Sequence, residues 1–448
     1  MSGPKVVRIV TREEIGALCE GHLARVAAAM AEWVRVGRRN DCVSEADIAQ
    51  AELRLARLRN LLATDRFMDL QKQAPQAIAF LHADLQGRLG KVAAADAIAR
   101  SSHRRQAEAA DALLKALKAR GADVPSDLEA ALVSGAAGRP NPQAIAIGFA
   151  LLSAQTDADR GARDALAQSL KDGSSPQTLA SWIATQPAPP ADPLYVRLER
   201  RLSELALISE PELIATFEAR LDAARASETE PRRRLLLDSL ELDVAAKLVD
   251  ARKRAKARDE LRMCLAELAL VDEVAHQEIA MRCEAPESDV VERLAEANEM
   301  LRSRRDAQAA HARRMAVLQG LAGLGYEVGT ELATAWVDQG RVVLRKAAQQ
   351  DYGIELSGDP SAARLQMRVV AFGDAAEGAD PARDADAETL WCGDVAALED
   401  RLARVGSGLV IERAMPVGAT PVKRVAASTG ALSRVAREGA AAQSRTLP

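Results

Sequence analysis

"GLAGLGYEVGTELATAWVDQGRVVLRKAAQQDYGIELSG", Gly320 to Gly358, is where this chain changes its pattern. Upstream, apolar residues recur at the three- and four-residue spacing of helices. Here Val, Tyr, Trp and Ile crowd together, and "RVVLRK" (Arg341 to Lys346) alternates as a half-buried strand does. "GLAGLG" ends the last long helix with glycines free to take positive φ. "YEV" and "TAWV" read as short strands, "DQG" as a turn, and "YGIELSG" and "RLQMRVVAF" (Arg364 to Phe372) as strands at hairpin spacing. An acidic loop, "GDAAEGADPARDAD", leads into an amphipathic helix with Leu390, Val395, Leu398 and Leu402 on one face, and "LVIERAMPVG" closes as a strand. The pattern predicts a small antiparallel α+β domain over 325–425.

One helix cannot cover both faces of such a sheet. The second face is expected to pack on the helical part or on another chain. The lone N-terminal run "KVVRIV" (Lys5 to Val10) is expected at the sheet's edge. Trp336, Val342, Leu344, Ile354 and Leu356 are the candidates for the two faces, and an exposed apolar patch among them would mark a partner-binding site.

Working outward, the rest reads as helix. Ala, Leu, Arg and Glu dominate, and aromatics are only 3%, which suits long helices packed through small residues. "TREE" (Thr11 to Glu14) and Ser209 with Glu212 offer capping boxes, and "SEAD" (Ser44 to Asp47) opens a second helix. Pro75 is expected in the first turn of a helix running to Arg120, and little breaks the run from Arg232 to Ala285. Between them, short helices with caps and breakers predict a compact head with Ile145, Ile147, Phe149, Leu151 and Trp182 in its core. Asn141-Pro142 and Ser175-Pro176 are its cap-then-proline starts, and "QPAPPADP" (Gln186 to Pro193) is a stiff linker.

The resulting layout is mainly α: elongated coiled-coil arms, a compact helical head and the α+β domain. Its boundaries are 1–74 (strand and helical hairpin), 75–122 (arm), 123–192 (head), 193–324 (returning arm), 325–425, and a disordered tail at 426–448. Late in the returning arm, Leu294, Leu301, Gln308 and Met315 fit a heptad seam with Val291, Asn298, Arg305 and Ala312. Its polar members weaken it but suit it to fixing register or partner.

Chemistry is sparse. A nucleotide P-loop, GxSxG and HExxH are missing, and "GLGYEVG" follows a helix where a dinucleotide loop must follow a strand. His276 and Cys283 share a face near Glu278 and Glu284, and Asp384, Asp386 and Glu388 could approach a cation, but a solvated surface explains both. "WCGD" sets Cys392 and Asp394 beside Trp391. No cofactor or metal is expected. The five scattered cysteines read as reduced thiols, and "AIAIGFALL" is too short to span a bilayer, so a cytoplasmic chain without membrane partners is expected. The 49 arginines against 11 lysines, with so much Ala, point to a GC-rich bacterial genome.

These observations favour a non-enzymatic scaffold or adaptor that binds protein partners, a second copy of the chain among the candidates, through the α+β domain. The first alternative is a nucleic-acid-associated accessory of a separate ATPase, with Arg252, Lys253, Arg254, Lys256 and Arg258 as its basic face. The second is an enzyme with its site in the α+β domain.

Overall fold

The structure, a computed structural model, describes residues 3–121, 123–139, 141–154, 193–283, 289–329, 332–358, 364–373 and 380–425. Trp182, the Ser175-Pro176 start, the linker up to 192, Glu284 and the tail at 426–448 lie outside the described residues. The chain is mostly helical, with a sheet assembled near its C-terminal end. It divides into two compact units: Met1–Met30, Ala49–Ile78 and Glu260–Pro448 form the first, and Ala31–Ile48 and Ala79–Asp259 the second. Among the described residues no helix is long and apolar enough to cross a membrane.

β1 (Lys5–Val10) leads into α1 (Arg12–Arg39). Thr11 Oγ1 accepts the Glu14 N–H at 3.1 Å, as an N-cap should. The second half of the box is not made, because the Glu14 carboxylate turns to Arg313. At the start of α2 (Glu45–Ala63) the box closes both ways. The Asp47 N–H reaches Ser44 Oγ at 3.2 Å, and the Ser44 N–H reaches Asp47 Oδ2 at 3.0 Å.

α3 (Phe67–Ala119) begins well before Pro75, which lies in its third turn instead of its first. The extra turns are held by the Arg66–Asp69 pair and by Phe67 and Leu70, which pack against α1 and α2. That packing outweighs the lost proline donor. α4 (Ser126–Ala136) and α5 (Pro142–Ala154) follow, with Asn141 Oδ1 capping α5 at the Ala144 N–H. Their core with the end of α3 is Leu113, Leu117, Leu128 and Leu132. Ile147 and Phe149, expected inside, are 54% and 46% exposed. α5 is apolar all round, so its sequence does not say which side is buried.

α6 (Pro193–Ala206) and α7 (Pro211–Arg225) pack with α8 (Glu230–Val271) through Leu198, Leu202, Phe217, Leu221, Leu240 and Val244. The Ser209–Glu212 box is not used, because α7 opens at Pro211, which needs no donor. The run expected to continue to Ala285 is divided at Asp272. Its carboxylate accepts the Ala275 N–H at 3.0 Å and starts α9 (Glu273–Cys283). α10 (Val290–Ala322) is the last long helix, ended by glycines that include Gly325 at φ 88°.

α11 (Leu332–Gln339) replaces the strand expected at "TAWV". Leu332 and Trp336 stand one turn apart on a buried side, a helical spacing that the β-branched neighbours obscure. β2 (Arg341–Lys346), β3 (Gln349–Ser357) and β4 (Arg364–Phe372) form the expected antiparallel meander. α12 (Pro381–Arg404) starts inside the supposed acidic loop, capped by Asp380. β5 (Gly408–Ala414) and the short β6 (Lys423–Val425) complete the sheet, whose order is β2-β3-β4-β1-β5, with β6 parallel to β4. β1 is therefore an inner strand and not an edge, hydrogen-bonded to β4 on one side and β5 on the other. Val7 and Ile9 point into a core shared with Val317, Leu318 and Leu321 of α10 and Trp391, Val395 and Leu398 of α12.

Candidate functional site

Trp336, Val342, Leu344, Ile354 and Leu356 all lie in that core, none more than 5% exposed. The exposed patch expected among them is not there. Two helices, α10 and α12, together with α11, cover the face they occupy, where the sequence suggested one helix. The other face carries Glu355, 2% exposed, bonded by Arg368 at 2.8 Å and Lys423 at 3.0 Å. Burial acts to raise this carboxyl, but the bonds from Lys423 and Arg368 outweigh it and hold it below the usual glutamate range.

A cleft of about 1170 Å³ opens in the first unit. α10 forms its floor over the turns from Asn298 to Gly320, the first turns of α1 (Glu13 to Leu18) form one side, and the end of α12 with the following turn (Arg401 to Ser407) forms another. The lining spans 22 residue steps of α10, about 33 Å of helix. Its apolar members are Ala309, Ala312, Met315 and Ala316 on the floor, Ala17 and Leu18 opposite, and Val271, Leu402 and Val405.

The heptad seam accounts for this floor. Leu301 is buried against α8 and α9, and Leu294 packs on the same core. Asn298 and, beyond Leu301, Arg305, Gln308, Ala312 and Met315 face the cleft instead. The polar members that weaken the seam in sequence are those that line the opening.

The cleft's charges are partly committed. Arg313 donates to Glu14, locking floor to wall with both groups mostly buried. Arg305 pairs with Glu267, which is 1% exposed and also takes Arg25 at 3.5 Å. Two guanidinium groups thus share one carboxylate, and burial together with Arg25 lowers the affinity of Arg305 for its proton. Burial, then Arg305 and Arg25, push His22 downward as well. Gly21 lets the Glu267 carboxylate lie against α1 where any Cβ would collide. Arg401 and Arg404, in the last turn of α12, have no carboxylate partner among the described residues; Arg401 rests on Gly323, and Arg404 donates to the Asp400 carbonyl at 3.3 Å. They suit the negative end of the α12 dipole and leave positive charge on the rim. Ser407 is held, accepting the Arg12 N–H at 3.1 Å.

The other residues singled out from sequence are dispersed. Asp394 is clamped by Tyr326 at 2.6 Å and Lys346 at 2.7 Å, and burial and that bond push the Tyr326 hydroxyl far up. Asp384 accepts from Tyr352 and Arg424, Glu388 is buried on the Gly418 N–H, and Asp386 is exposed. Burial and Asp384 push Tyr352 up to about 12. Among the described residues, no group of His, Cys, Asp and Glu, the His276–Cys283 face included, could hold a metal ion. Arg252, Lys253, Arg254, Lys256 and Arg258 are all exposed on α8, but Arg252 pairs with Glu204 and Arg254 with Asp250.

No family model, no curated protein and no solved structure matches this chain.

Proposed function

We propose that the chain is a non-enzymatic adaptor that seats a helix of a partner protein in the cleft between α1, α10 and the end of α12. The observation that carries this reading is the seam on α10: Asn298, Arg305 and Ala312 at one heptad position and Gln308 and Met315 at the other line an open groove whose floor mixes Ala309, Ala312, Met315 and Ala316 with polar residues. An amphipathic helix laid in such a groove buries its stripe between small residues, while Arg401 and Arg404 on the rim suit carboxylates on its flanks. The polar seam positions give register at some expense of affinity. In this reading the long helices α3, α8 and α10 are arms that carry the cleft, and the α+β domain serves it through α12. The five cysteines, none in a disulfide, favour a reducing, cytoplasmic setting, and the Arg- and Ala-rich composition a bacterial one.

The test is Ala312→Arg, which fills the floor without touching a core residue. Partners captured by the unmodified protein should be lost from this variant while its circular dichroism stays unchanged. Equal capture by both proteins would refute the reading. For nucleic acid, a gel shift abolished by salt and by Lys253→Glu with Arg258→Glu would favour the α8 face instead.

A further inference from the structure

Lys5 opens β1, paired with Met367 of β4 and Ala414 of β5. The alternation along β1 turns it to the same face as Val7 and Ile9, and it is only 3% exposed. A buried amine needs a polar partner. Among the described residues no carboxylate lies within ion-pair distance of it. Its Nζ reaches the Sγ of Cys392, on α12, at 3.0 Å. Cys392 itself is only partly buried, where Lys5 is almost wholly so. Strand pairing on both sides fixes one group, and the packing of Trp391 and Val395 fixes the helix that bears the other.

We propose that Lys5 and Cys392 form a covalent modification site, in which a small peroxide converts the pair to a sulfur–nitrogen cross-link. Sγ attacks one peroxide oxygen, the O–O bond breaks, and the departing oxygen leaves as water, giving a sulfenic acid on Cys392. The Lys5 nitrogen, as free amine, then attacks that sulfur. The S–O bond breaks, and the hydroxyl departs with the amine proton as a second water. Overall the thiol and amine lose two hydrogens, the sulfur is oxidised and hydrogen peroxide is reduced to two waters. A sulfenic acid ordinarily waits for a second thiol or a backbone nitrogen; here a side-chain nitrogen is already in contact. The product ties the first strand of the chain to α12, 387 residues away in sequence. A dithiol reverses it by attacking the sulfur, releasing the amine and leaving as its own disulfide.

The experiment treats the full-length protein with hydrogen peroxide, digests it and maps the peptides by mass spectrometry. The expected result is a linked pair joining Lys5 to Cys392, two hydrogens lighter than the separate peptides and lost on treatment with dithiothreitol. Lys5→Arg keeps a donor beside the sulfur but lacks the amine nucleophile, so it should yield sulfenic or sulfinic acid at Cys392 without a link. Either an oxidised but unlinked Cys392 or an unmodified Cys392 in the unaltered protein would overturn the proposal. The unaltered protein alone decides it, whether or not the variant folds.

Discussion

Gly353 shows how finely single positions are set. A Cβ there would lie 2.5 Å from the Leu344 carbonyl oxygen and 2.6 Å from the Phe372 ring, which also carries the Arg345 guanidinium 4.2 Å from its centroid. Gly353→Ala should therefore destabilise the protein by about 1–3 kcal/mol, the usual result of forcing bulk into filled space. A denaturation midpoint unchanged by the substitution would show that the ring moves freely. Glu355 makes a second residue-scale prediction. Its carboxyl titrates lower in the folded chain than its ordinary value of 4.5, so it stabilises the fold above that pH. That contribution is lost as the pH falls below it, through the folded-state value. In Glu355→Gln the acid limb of the stability curve should be shallower, and stability at neutral pH lower, since Arg368 and Lys423 lose their anion. None of this was legible in "YGIELSG": the run announces a strand, but a glycine under a ring and a glutamate between two cations are set by neighbours distant in sequence.

At the scale of elements, the sequence was informative where a cap or an alternation is local. β2 and β4 fall on the runs that alternate, and Thr11, Ser44 and Asn141 each cap the helix they precede. It misled where packing overrides a local signal, as at Pro75 inside α3 and at "TAWV", where one buried tryptophan and a leucine a turn away make a helix of β-branched residues. The cleft was half legible. The seam on α10 could be read, but not that Leu294 and Leu301 would pack on α8 and α9 while Asn298, Arg305, Gln308, Ala312 and Met315 line an opening. α5 provides an element-scale prediction. Leu132 of α4 is fully buried and Phe149 of α5 nearly half exposed. Leu132→Ala should cost about 2–5 kcal/mol and Phe149→Ala about 1 kcal/mol or less, both measured by urea denaturation. The reverse order would mean that α5 presents its other side to the core.

For the whole molecule, the consequence lies in how the ends of the chain meet in the first unit. The α+β domain read from sequence as 325–425 does not contain its own sheet, because β1 supplies the strand between β4 and β5. β5 has β1 as its strand partner, and the core beneath draws on α10 as well. No local pattern reveals this, since "KVVRIV" carries no mark of which strands will flank it. Deletion from Gly325 onward therefore does not leave the helical part intact. Val7, Ile9, Val317, Leu318 and Leu321, now at most 3% exposed, would all face water, and the shortened chain should bind hydrophobic dyes and aggregate. The sharper test is the opposite end. Removing residues 1–10 takes away two fully buried side chains, Val7 and Ile9, worth about 3–6 kcal/mol together, and leaves β5 without its neighbour. The near-ultraviolet circular dichroism of Trp336 and Trp391 should collapse, while the far-ultraviolet helical signal, to which the second unit contributes α4 to α7, should largely persist. Adding a synthetic peptide of residues 1–11 should restore part of the near-ultraviolet signal, because the slot between β4 and β5 is then refilled. A truncated chain whose aromatic signal and melting curve match those of the full protein would show that β1 is dispensable and that the sheet closes without it.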